Sequence, residues 1–331
     1  MQAVGRSGPA SRNVVRSFFR RTDASAIIAT AILFIVFSTT TQNFFTPFNQ
    51  FNVWRSASQN VFIALGQAMV VLIGGMNLSL GAIGGLTVVI VGHSIEILGI
   101  APWVAVIMGL AVGVGCGAFN GFFVSRFKLN SFVVTLATSF IFQGLVNGVS
   151  QGRPYSKIPA QFTALGKGDV LGVPNMVFLM VVALAVVYFV FKYTVIGRQL
   201  LATGGNVEAA RLSGIKTGRM IMLANILSGL CGSIAAILWV SRMGTAQPAT
   251  GGDWLIVSFA VTVIGGTALS GGTISAVGFL FSGLLMALIR NGLIMIGVNV
   301  YFEATFLGTI ILLAVMVEYF RMNMTSHAKK L

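Results

Sequence analysis

Residues 74–81 read GGMNLSLG, between an apolar run that ends at Ile73 and another that begins at Ala82. Without this interruption residues 57–98 would form a single apolar stretch, far longer than the about 20 residues that cross a bilayer. The glycines and the short polar pair Asn77 and Ser79 therefore divide it into two segments. Asn77 or Ser79 can cap the start of the second one and satisfy backbone donors where lipid offers no water.

The rest of the chain has the same character. Of its 331 residues 56% are hydrophobic and 8% charged, where a soluble domain carries roughly a quarter charged residues. Apolar runs fall at about 24–42, 57–74, 79–98, 102–125, 131–150, 174–191, 218–240, 254–270, 273–290 and 303–320. The expected fold is all-α, a polytopic membrane bundle of about ten transmembrane helices at 24–320 between tails at 1–23 and 321–331.

The net charge of +14 raises the question of a nucleic-acid partner. Ten spans with the N-terminus inside put 15 of the 21 basic residues in cytoplasmic segments, Arg6 to Arg21, Arg126, Lys128, 192–219 and 321–330 among them. That asymmetry is the positive-inside pattern and accounts for the charge without nucleic acid. No A-x-A cleavage site follows the run from Ala24 to Phe37, so the first helix is expected to stay attached, with both tails cytoplasmic. Segment 151–173 has the proline and glycine content of an outward loop, and 192–217 faces the cytoplasm.

The fourth span contains GLAVGVGCGAFNG, in which Gly109, Gly113, Gly117 and Gly121 line one helix face. Small residues at this spacing allow backbones to approach closely, and lining a path is the alternative role. Cys116 and Cys231 lie inside apolar runs and read as small buried hydrophobes, so no metal, cofactor or disulfide is expected.

Acids and histidines, which a proton-coupled carrier keeps deep in its spans, fall here at loops and span ends: Asp23, His93, Glu96, Asp169, Glu208, Asp253, Glu303, Glu318 and His327. Neutral amides do occur within spans, at Gln67, Asn120, Gln143, Asn147 and Asn225. Each can bond between helices, and together they suit a path for a polar, uncharged solute. No phosphate-binding G-x-x-x-x-G-K-[ST] loop is present, so energy for uphill transport would have to come from another chain.

Docking such a motor needs a cytoplasmic surface. Gly204 and Gly205 break a helix, Asn206 is placed to cap the next, Glu208 suits its first turn, Val207 and Ala210 precede Arg211, and Gly214 ends it. Spacing alone leaves two readings, a coupling helix between glycine hinges and a solvated loop helix.

At these residues the sequence resembles the permease subunits of bacterial ATP-binding cassette (ABC) importers for ribose and related sugars. The resemblance rests on ATGGNVEAARLSGI at 202–215, GGMNLSLG at 74–81, AQPATG at 246–251, VIGGTALSGG at 263–272 and NGLIMIGV at 291–298, and covers about 25–320. It implies an inner-membrane subunit without an ATPase site of its own, paired with a second copy or a sister chain. Separate ATPase subunits would sit below and a periplasmic binding protein above. It further implies that Gly205, Asn206, Glu208, Ala209, Ala210, Arg211 and Gly214 couple to the ATPase. Asn77, Ser79, Gln67 and Asn225 are the candidates beside the path. Two departures stand out: Asn77 where the family usually has Asp, and Leu255 where Glu is common. They leave the solute open between a sugar and a polyol, with permeases for branched-chain amino acids or nucleosides and a passive channel as alternatives.

Overall fold

The computed structural model describes residues 23–299 and, beyond them, positions 302, 305, 306, 308, 309, 312 and 316. The tails at 1–22 and 321–331 and most of the tenth expected span, 303–320, lie outside the described residues. Within them the helices are α1 (Ala24–Thr40), α2 (Pro47–Leu72), α3 (Leu80–Glu96), α4 (Pro102–Arg126), α5 (Ser131–Ser150), α6 (Ala160–Lys167), α7 (Asn175–Tyr193), α8 (Val195–Gly205), α9 (Val207–Leu212), α10 (Thr217–Met243), α11 (Trp254–Ile264) and α12 (Ala276–Met295). A two-residue hairpin, Asp169–Val170 paired with Val173–Pro174, is the one sheet among the described residues.

Local chemistry sets the helix starts. Pro47 and Pro102 stand at the first positions of α2 and α4, where a missing N–H costs nothing. The Thr46 hydroxyl accepts from Asn49 N–H at 3.4 Å, and the Asn130 side chain accepts from Phe132 N–H at 2.8 Å to open α5. The Thr46 and Pro47 signals start α2 well before the expected residue 57, and its last two turns are buried on every side.

Among the described residues α4, α5, α7, α10 and α12 are long and apolar enough to cross a membrane. The chain is a multi-pass, all-α membrane protein. The expected span at 254–270 is corrected: α11 has 11 residues, a rise of about 16 Å against ~30 Å of hydrocarbon. Segment 244–253 supplies the missing length as non-helical chain. A Cβ at Gly92 would press on Ala246, one at Gly85 would stand 2.9 Å from the Thr250 carbonyl oxygen, and Gly81 lies on the backbone of Gly251. The segment thus runs down α3 for three turns, about 16 Å, before α11 begins. Irregular backbone is tolerated at such depth where protein covers it or where it lines a water-filled cavity; Ala246 and Gly251 are buried, and Gln247, Ala249, Gly252 and Asp253 are exposed.

The outward loop at 151–173 also differs from its expectation, since α6 forms within it. The Ser241 hydroxyl holds α6 to α10, donating to the Phe162 carbonyl at 2.6 Å and accepting from Gly166 N–H at 2.7 Å. Because α9 adjoins the start of α10 and α6 its end, these two mark opposite ends of the bundle.

Helices α4 and α10 run antiparallel along the glycine face. Gly113 lies against the Gly229 carbonyl and Ser233, a Cβ at Gly117 would stand 2.9 Å from Ile226 Cα, and one at Gly121 would stand 2.8 Å from Met222 Sδ. Gly109 faces α3 instead, 2.8 Å from Val91 Cγ2 by the same measure. Close backbone approach replaces the hydrophobic drive that lipid does not provide. A leucine at Gly113 would force the helices apart at a cost of about 3 kcal/mol. Gly113→Leu should therefore lower the thermal unfolding midpoint in detergent, whereas Gly115→Leu, at a position with open space beside it, should leave it unchanged.

Candidate functional site

The break at 74–81 is held by a buried polar cluster. Asn77, Ser79 and Gln67 are 0% exposed and Asn225 1%, so none of the four opens onto solvent in this conformation. Asn77 Oδ1 accepts from Ser79 N–H at 3.0 Å and from the Ser79 hydroxyl at 2.8 Å, closing a turn two residues wide. Its Nδ2 donates to Ser228 Oγ on α10 at 2.8 Å. Asn120 Nδ2 on α4 donates to Ser79 Oγ at 2.8 Å. With its amide turned to meet both partners, Gln67 donates to the Asn77 carbonyl at 2.8 Å and accepts from Asn77 N–H at 3.3 Å. Ser79 occupies the N-cap position of α3 but its side chain caps nothing; of the two candidates, Asn77 supplies the bond to backbone. Asn225 stands apart, donating to Ile221 O within its own helix at 2.9 Å, with its Oδ1 unpartnered.

At the α9 end the break meets two other glycine segments. The Leu72 carbonyl, left over at the end of α2, accepts from Gly272 N–H at 2.9 Å. Gly204, at the end of α8, lies directly on that carbonyl, and a Cβ there would overlap it. Gly271 and Gly272 pack on Gly204 and Gly205 in turn. The elbow between α8 and α9 therefore meets the Leu72 carbonyl and the break at 271–272 backbone to backbone, and Gly271 in turn lies against Gly74 N–H. At the elbow Asn206 is extended and its Oδ1 accepts from Ala209 N–H at 2.9 Å. Glu208 and Arg211 pair at 2.6 Å on the exposed face, Ala210 is buried, and Gly214 at φ +82° ends α9. Leu212 is 80% exposed, an apolar side chain presented away from the bundle.

A third feature was named from the sequence only as part of the set of span amides. Gln143 and Asn147 lie on the exposed face of α5, joined at 3.5 Å, with Ser139 a turn earlier. They are polar groups on the outer surface of a helix apolar enough to span. Their spacing by four was visible in the sequence, but their orientation was not. Near the start of α5 an apolar groove of about 380 Å³ is lined by Met76 and Leu78 from the break, Phe132 from α5 and Leu255 and Phe259 from α11. Leu255, one of the two departures, thus neighbours the other. Of the glycines of α3 that receive segment 244–253, Gly85 and Gly92 were missed, as was Gly84, which receives the Trp254 ring.

At the α6 end Glu96 accepts from Ser156 N–H and Lys157 N–H at 2.7 and 2.8 Å. Tyr155 pairs with Ala246 through the backbone, and burial, then the Glu96 charge, pushes its phenol above the ordinary value. Arg290 pairs with Asp253 at 2.6 Å, and Arg242 donates to Ser56 Oγ at 3.0 Å. Among the described residues no group of three or more His, Cys, Asp or Glu could hold a metal.

The Asn77 cluster makes a stability test. Asn77→Leu strips partners from the buried Ser79 N–H and Ser228 hydroxyl and should cost about 2–3 kcal/mol. Asn77→Asp keeps the Ser79 bonds and lets the Ser228 hydroxyl turn to donate, so the loss should stay within about 1 kcal/mol. Thermal unfolding in detergent ranks the two, and equal losses would remove the hydrogen-bonding account.

Comparison with known proteins agrees with this architecture. Residues 49–316 match the family described as the permease component of the branched-chain amino acid transport system. The ribose import permease protein of Escherichia coli K12 is 34% identical over 219 residues, 65% of this chain and 68% of that protein. The ribose import permease protein of Bacillus subtilis 168 is 35% identical over 219 residues, 66% and 68% of the two chains. The L-arabinose transport system permease protein of Escherichia coli K12 is 31% identical over 220 residues, 66% and 67%. No solved structure matches the chain. With four fifths of its length matched, and with its broken membrane helices and glycine-seated α8–α9 elbow, this chain belongs to the family of permease components of the branched-chain amino acid transport type.

Proposed function

We propose that the chain is the permease subunit of an ABC importer in the bacterial inner membrane, carrying a sugar or sugar-like solute. The observation that carries the reading furthest is the exposed polar stripe on α5. An amide turned to lipid loses its hydrogen bonds at a cost of several kcal/mol. Ser139, Gln143 and Asn147 are therefore assigned to a water-filled path between this chain and a second copy or sister permease. The apolar groove beside Leu78 and Leu255 continues that wall. Neutral amides and apolar carbon suit a polyhydroxylated solute that passes without being held tightly. On this reading Asn77, Ser79, Gln67 and Asn225 stand behind the wall and keep the break in shape beside the path.

The α9 end is assigned to the cytoplasm, with both chain termini, and the α6 end to the periplasm and its solute-binding protein. Gly205, Asn206, Glu208, Ala209, Ala210, Arg211 and Gly214 then form and flank the coupling helix that the ATPase subunit pushes. What supports this is the seat of Gly204 on the Leu72 carbonyl: a displacement of the elbow reaches both membrane breaks through backbone contacts alone. Sugar is preferred to amino acid because the ribose and arabinose permeases are among the relatives, each 31–35% identical. The branched-chain amino acid reading survives as an alternative because the matched family carries that description.

Two measurements on proteoliposomes containing the full complex bear on this. Gln143→Leu with Asn147→Leu should cut solute uptake at least about fivefold while unfolding stays within about 0.5 kcal/mol, since both side chains are exposed. Unchanged uptake would remove α5 from the path. Leu212→Asp or Glu208→Arg should lower solute-stimulated ATP hydrolysis about tenfold, the equivalent of 1.4 kcal/mol of docking free energy. Full stimulation in both variants would reject the coupling assignment.

A further inference from the structure

A groove of about 650 Å³ lies between the end of α4 and the start of α10, beside the α4–α10 glycine face and with Arg211 of α9 on its edge. Its floor is apolar, with Phe122 and Ile226 among the residues that form it, and its rim carries Arg126, Arg211, Lys216 and Arg219. The size is that of a small-molecule pocket. Glu208 answers part of the charge through its 2.6 Å pair with Arg211. Arg126, Lys216 and Arg219 form no ion pair among the described residues, and all three are exposed.

The position gives this charge a meaning. Helices α4 and α10 are both long and apolar enough to span, and the basic residues stand where the two meet the water at the α9 end. A cleft that is apolar toward the membrane and cationic toward the water is complementary to an amphiphile with a phosphate at one end and hydrocarbon at the other. Free phosphate would satisfy the rim but would gain nothing from Phe122 and Ile226. A protein partner meeting the rim would leave the apolar floor unfilled unless it inserted a side chain from within the membrane.

We propose that this groove binds the headgroup phosphate of an anionic phospholipid, phosphatidylglycerol or a relative, with the start of one acyl chain on the Phe122 and Ile226 floor. The site adjoins α9 through Arg211, so a bound lipid would brace the helix assigned to the ATPase. That consequence rests on the importer reading, as does the assignment to the inner leaflet; the binding itself does not.

The test uses the full chain in phosphatidylcholine nanodiscs, with the bound lipid counted by native mass spectrometry and the unfolding midpoint followed as phosphatidylglycerol is titrated in. One phosphatidylglycerol per chain should be retained and the midpoint should rise, with no rise for added phosphatidylcholine. Arg126→Gln with Arg219→Gln should weaken retention about 30-fold, the loss of two headgroup contacts. Ile226→Trp, which fills the floor, should weaken it with the rim intact. An equal stabilisation by inorganic phosphate that Ile226→Trp leaves unchanged would make this an anion site and overturn the lipid assignment. No retention of phosphatidylglycerol, with chain dimers lost in Ile226→Trp, would make the groove a contact between copies and overturn it equally. Because the readout involves no ATPase and no solute, a null result here leaves the importer reading standing, and failure of the importer assays leaves this measurement unaffected.

Discussion

Every peptide group inside a bilayer has to find its hydrogen-bond partner within the protein, and the break between α2 and α3 is organised by that requirement. At the end of α2 the Leu72 carbonyl has no partner within its own helix, and Gly272 N–H supplies one from the second break. At the start of α3 the Asn77 side chain supplies an acceptor to Ser79 N–H, and Gln67 reaches both backbone groups of Asn77. Between them these bonds let chain without helical structure persist in a protein interior.

Glycine performs the complementary task. Segment 244–253 packs along α3 because Gly81 and Gly85 leave room for its backbone and Gly92 for the Ala246 side chain, while Gly84 receives the Trp254 ring at the start of α11. Gly204 does the same at the other end, where any Cβ would occupy the space of the Leu72 carbonyl. The result is a molecule whose irregular segments touch through main chain. Such contacts have little slack, since close-packed interiors transmit displacement instead of absorbing it. The short helix α9 follows directly on one of them, the contact of Gly204 with the Leu72 carbonyl and Gly272.

Charge is distributed in keeping with this plan. The ion pairs observed among the described residues, Glu208 with Arg211 and Asp253 with Arg290, are at least partly exposed. Of the amides expected within spans, Gln67 and Asn120 are locked in the cluster around Asn77, Asn225 bonds within its own helix, and Gln143 and Asn147 are turned outward on α5.

The sequence by itself determined the membrane class, the helix of the glycine face at 109–121 and the elements of the α8–α9 elbow, because each depends on local composition or on spacing along one helix. The Asn206 cap, the turn at Gly214 and the interruption at 74–81 all stand where residue type places them. Only the tertiary structure decided that the helix within 254–270 stops at Ile264 and that segment 244–253 lies along α3, since where a chain packs is set by its neighbours and not by its own composition. It alone separated Gln67 and Asn77, which face inward, from Gln143 and Asn147, which face outward. A polar residue in an apolar run looks the same from the sequence whichever way it turns, because direction is set by the neighbouring helices and by the lipid outside them.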